Sequence, residues 1–105
     1  MSMVTTEPVT YRVTGIEPML GAGKLIGLAI AQIEIGRVSL IIQGIRILKR
    51  PDGSLEVRSP AFRRPTGAWA NAVILPPALQ DALGDEVLAV AGPVLSGDPR
   101  ARDAA

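Results

Sequence analysis

Neither cysteine nor histidine occurs among the 105 residues, and phenylalanine, tyrosine and tryptophan occur once each. Without cysteine there can be no disulfide and no thiolate-bound metal, which suits a reducing cytoplasm. Without histidine the chain lacks the commonest general base and the commonest transition-metal ligand. Aromatic residues make up 3% and hydrophobic residues 48%, so the core must be aliphatic. An excess of one charge sign is missing too: 11 Lys and Arg stand against 10 Asp and Glu. Attraction to a polyanion must therefore come from local clustering rather than net charge. No apolar run approaches the roughly 18 residues that cross a bilayer. The N-terminal stretch, with Glu7 and Pro8 and no basic-then-apolar pattern, does not read as a secretory signal. A soluble, cytoplasmic domain without a membrane partner is the expectation.

The length fits one domain, expected over residues 9–92 between a flexible N-terminus (1–8) and a flexible tail (93–105). Residues 9–16 alternate, with Val9, Tyr11 and Val13 on one face and Thr10, Arg12 and Thr14 on the other, the pattern of a half-buried strand. Residues 17–24 read as a loop; Gly21-Ala22-Gly23-Lys24 lacks the spacing of a phosphate-binding loop. Residues 25–35 form a strand with Ile26, Leu28 and Ile30 on one face and Gly27, Ala29, Ala31, Ile33 and Ile35 on the other. One helix cannot cover both faces, so the small-residue face is the expected contact with a second subunit. In residues 38–49 the branched side chains switch faces at Gly44, as a β-bulge would make them.

Arg50-Pro51-Asp52-Gly53 is a strong turn signal, with Pro at the first central position and Gly at positive φ. A fourth strand follows at 55–58, stopped at Pro60, and Arg64-Pro65-Thr66-Gly67 repeats the turn pattern before a fifth strand at 69–75. Pro76-Pro77 opens a helix whose Leu79, Leu83, Val87 and Val90 recur at helical spacing and which Gly92-Pro93 ends. The resulting class is α+β: an antiparallel sheet of about five strands with one C-terminal helix.

The hairpin carries the chemistry. If Arg50 pairs with Ser54, then Leu48 faces Glu56 and Arg46 faces Arg58, with Arg50 on the same side. Two arginines directly opposed repel unless an anion lies between them. From residue 37 to residue 64 there are seven cations and two carboxylates. Arg46, Lys49, Arg50, Arg58, Arg63 and Arg64 are thus candidate contacts for phosphate groups of nucleic acid, with Arg64 on the parity of Arg58 and Lys49 and Arg63 at the margins. The plainer alternative is that these cations keep a strand edge soluble. Phe62 could stack on a base but is favoured as core, and Trp69 is assigned to core or interface. Catalysis has little to stand on, because no serine has a histidine partner and no base and nucleophile occur together. Asp81, Asp85 and Glu86 could hold a hard cation but read better as a solvated helix face. No metal, cofactor, enzymatic activity or small-molecule substrate is expected.

The run Leu55-x-Val57-x-x-Pro60, then Arg63-Arg64-Pro65-x-Gly67-x-Trp69-x-Asn71-x-Val73 and Pro76, resembles the SpoVG family of small bacterial regulators associated with sporulation and septation. Ile42-x-Gly44-Ile45-Arg46-Ile47 is similar to that family's third strand, and the resemblance spans residues 11–91. It implies a homodimer with an antiparallel sheet and a C-terminal helix, binding DNA and RNA in gene regulation and division control. Members of the family place basic residues on the helix, whereas residues 76–92 here carry three acidic residues and no Lys or Arg. They also usually have an acidic residue where this chain has Asn71. Contact with nucleic acid is therefore expected from the hairpin arginines. The alternative is a protein-interaction or scaffold module of the same fold.

Overall fold

A computed structural model describes residues 8–95; most of the two ends expected to be flexible, residues 1–7 and 96–105, lie outside the described residues. Strands β1 (Val9–Pro18), β2 (Leu25–Ile35), β3 (Val38–Lys49) and β4 (Leu55–Arg58) form an antiparallel sheet in that order. Strands β5 (Ala61–Arg63) and β6 (Trp69–Asn71) form a separate two-stranded ribbon, and helix α1 spans Pro77–Leu95. The α+β class holds, with four strands and a ribbon in place of one sheet of about five. The physical reason lies at Pro60, which has no N–H to continue a ladder and confines regular pairing to either side of it. Its carbonyl accepts from Ala72 N at 2.7 Å, so Pro60 extends the ribbon instead of the main sheet.

Gly44 shapes the centre of the sheet. It sits at φ +77°, a conformation that costs side-chain-bearing residues but not glycine. Ala31 pairs with Ile42 and Ala29 with Ile45, so three steps on β3 oppose two on β2. That one-residue bulge turns Ile42, Ile45 and Ile47 to the same side, as the break in alternation predicts.

The core forms where this side meets α1: Ala29, Ala31, Ile33, Ile42, Ile45 and Ile47 pack with Leu83, Val87 and Ala91. The chain's own helix thus covers the small-residue face of β2 at Gly27, Ala29 and Ala31. Close approach demands the small residues: a Cβ at Gly27 would lie 3.2 Å from Leu95 Cδ1 and 3.4 Å from the Glu17 carbonyl oxygen. This contact also explains why the helix does not end at Gly92-Pro93. Pro93 lies on the exposed side, where its missing N–H costs least, and the added turn brings Leu95 onto the sheet. Ala91, four residues after Val87, takes the buried position expected of Val90.

Beyond the helix the same sheet face continues uncovered. Val9, Ile35 and Val38 form one cross-strand row, and Tyr11, Ile33 and Leu40 form the next. Ile33 is fully buried, but Val38 is 56% and Leu40 44% exposed, with Val9 and Tyr11 also open.

Candidate nucleic-acid interface

The β3–β4 turn sets the register of the basic hairpin. Gly53 N donates to the Arg50 carbonyl at 2.9 Å and Arg50 N to the Ser54 carbonyl at 2.8 Å. Asp52 Oδ1 accepts from Ser54 Oγ at 2.6 Å and from Ser54 N at 2.9 Å. These bonds, the hydroxyl's first, hold the Asp52 carboxyl below its ordinary range. The ladder then pairs Arg46 with Arg58, Ile47 with Val57 and Leu48 with Glu56. Because Ile47 belongs to the core, alternation sends Arg46, Glu56 and Arg58 to the face away from the helix, with Arg50 at its end.

The opposed arginines diverge in their partners. Arg46 Nε donates to the Ser59 carbonyl at 2.9 Å, while Arg58 Nε donates to Glu56 Oε1 at 2.8 Å. Arg50 Nε lies 3.7 Å from Glu56 Oε2, so Glu56 stands between two guanidiniums and relieves part of their repulsion. Its carboxyl is held below the ordinary range chiefly by the Arg58 hydrogen bond, which outweighs the opposing desolvation, with the Arg58 and Arg50 charges adding to the lowering. A depressed carboxyl stabilises the fold above its unfolded-state pKa, and the contribution disappears as pH falls through the lowered value. Both arginines stay half open, at 55% for Arg58 and 52% for Arg50.

The remaining cations separate. Lys49 pairs with Leu55, on the helix-bearing side, and so leaves the Arg46–Arg58 face. Arg50 borders a groove that Asp81 and Asp85 of the helix also line, which lowers its attraction for anions. Past Pro60 the parity changes. Arg63 pairs with Trp69 and Ala61 with Asn71 on one face of the ribbon, while Arg64 closes the turn, where its N–H donates to the Ala68 carbonyl at 2.7 Å. Arg63 rather than Arg64 therefore shares a face with the groove-lining residues.

Two connected hollows run along this junction. One, of about 310 Å³, is bounded by Arg46, Arg58, Ala61, Trp69 and Asn71. The other, of about 400 Å³, shares Arg46, Arg58 and Asn71 and reaches Ser59, Ile74 and Gln80. Ser59 Oγ and Gln80 Oε1 lie 3.2 Å apart, tying the start of the helix to this edge. Trp69 is 69% exposed and Phe62 47%, so neither is a core residue: the ribbon stands off the sheet and gives them nothing to pack against. Trp69 shares its face of β6 with polar Asn71, which is the sequence signal for an open ribbon face. Among the described residues no cluster of acidic side chains is arranged to hold a metal ion, and no helix is long and apolar enough to cross a membrane.

Compared with family models, curated proteins and solved structures, the chain matches none.

Proposed function

We propose that this chain is a small, non-enzymatic cytoplasmic regulator of the SpoVG type, working as a homodimer and binding DNA or RNA with low sequence specificity in gene regulation or septation. The observation that carries the reading is the cross-strand pair Arg46 and Arg58, held on the face away from the helix with Arg63 on the adjoining ribbon. Guanidiniums so placed contact phosphates, which supply affinity without reading sequence. Fluorescence anisotropy of a labelled oligonucleotide across a salt series tests it. Affinity is expected to fall steeply with salt, with a log–log slope of about −2 to −3 for three phosphate contacts. Absence of binding at low salt would remove the function.

Glu56 supplies a second expected result. It competes with phosphate for Arg58 and Arg50, so Glu56→Gln is expected to tighten binding severalfold and to steepen the salt slope. Unchanged anisotropy curves would mean that these arginines do not meet the ligand.

The dimer is supported by Val9, Tyr11, Val38 and Leu40, which flank Ile33 and Ile35 and continue the core face into solvent. A contiguous apolar surface beside a core is characteristic of a subunit contact. Leu40→Asp is expected to convert dimer to monomer in light scattering after size exclusion, while circular dichroism retains the strand and helix signals.

A further inference from the structure

We infer that Trp69 and the groove beside it form a stacking site for an unpaired base, so that the ligand is a single strand rather than a duplex. The inference rests on the nucleic-acid reading above and deepens it. Trp69 is the chain's single tryptophan and stands open to solvent, and an indole, apolar over its faces with a polar N–H at its edge, suits a contact that is apolar on one side and wet on the other. Its surroundings suit a nucleotide. Arg63 lies directly across the ribbon, and Arg46 and Arg58 border the same hollow on the side of the sheet. Asn71, two residues along on the same face, offers an amide that can donate to or accept from a base edge. Ring, amide and guanidiniums thus bound one hollow of about 310 Å³, the lower end of the size range of ligand sites. Every base has a π-face, so stacking here is indifferent to sequence but requires that the base be free of its partner strand. A paired base inside a duplex cannot lie flat on the indole without being turned out of the helix.

The single tryptophan is its own reporter. Titration of the intact chain with single-stranded oligothymidylate at low salt is expected to quench Trp69 emission, whereas a duplex of matched length leaves it unchanged. Trp69→Ala is expected to weaken single-strand binding about tenfold without changing duplex binding, and Trp69→Phe to restore most of the loss. Thymidine monophosphate, which has a base but only one phosphate, is expected to quench far more weakly than the strand. Equal quenching by the mononucleotide would make this a free-nucleotide pocket and overturn the inference. Binding that Trp69→Ala leaves intact would also overturn it while sparing the arginine contacts. Blue-shifted emission without ligand, with a changed oligomeric state in Trp69→Ala, would place the indole between subunits and exclude a base. No binding of any strand would remove the nucleic-acid reading and this site with it.

Discussion

Replacing Ile47 with alanine is expected to lower the unfolding free energy by about 3–4 kcal/mol, measured by urea denaturation at fixed protein concentration. Ile47 is fully buried, and its cross-strand neighbours are Gly27 on β2 and Val57 on β4. Gly27 has no side chain with which to fill the space left by the lost methyl and methylene groups, and Leu95 already presses on it from the helix. The cavity therefore persists, keeping the cost away from the low end of the range for such truncations. A domain of this size is stable by only about 5–15 kcal/mol, so the variant is expected to begin unfolding near physiological temperature. Ile41 is the control. It lies one residue from buried Ile42 but is 67% exposed on the opposite face, and Ile41→Ala is expected to change stability by no more than about 0.5 kcal/mol. Equal losses in the two variants would show that the sheet buries the other side.

The contrast between Ile41 and Ile47 also marks what can be read without coordinates. Most of the main sheet could be placed from its alternation, and the break at Gly44 falls on the residue whose φ permits a bulge, but the register shifts at Val13/Gly15 and Leu25/Gly27 leave no such mark in the pattern. Pro51, Asp52 and Gly53 specify a turn geometry, and a turn geometry specifies a register, so the pairing of Arg46 with Arg58 follows from local chemistry alone. What covers a strand is a non-local question. The small residues of β2 admit a close neighbour but do not say which one, and the answer depends on a helix about fifty residues further along the chain that runs through Gly92-Pro93 to bring Leu95 onto Gly27. Local propensity argues against that last turn, and the contact it makes with the sheet outweighs the propensity.

The site divides along the same line. Lys49 can be separated from Arg46, Arg50 and Arg58 by counting alone, since it is odd-numbered in an unbroken hairpin with Ile47 and Val57. Beyond Pro60 such counting fails, because a residue that leaves the ladder resets which side its successors face; this is how Arg63 replaces Arg64 beside the groove. The aromatic residues mislead for another reason. Large rings are usually buried because they have a core to enter, but a ribbon of two three-residue strands that stands apart from the sheet has none, leaving Trp69 and Phe62 open.

Removing both opposed guanidiniums is expected to have the largest effect on binding. Arg46→Ala/Arg58→Ala should lower affinity for a single strand about a hundredfold at low salt and reduce the magnitude of the salt slope by about two, one for each lost phosphate contact. A charge-assisted contact is worth about 1.5 kcal/mol, or roughly tenfold, and the two residues are direct cross-strand neighbours, so their effects need not add. The single variants separate the two roles. Arg46 also donates to the Ser59 carbonyl, so Arg46→Ala loosens the junction between sheet and ribbon as well as removing a charge. Arg58 is bonded to Glu56 alone among the described hydrogen bonds, so Arg58→Ala removes charge and leaves the backbone as it is. Lysine at both positions keeps the charge but cannot reproduce the planar fork. The salt slope should then return while affinity recovers only in part. Recovery of neither, with circular dichroism unchanged, would mean that phosphates are held elsewhere on the molecule.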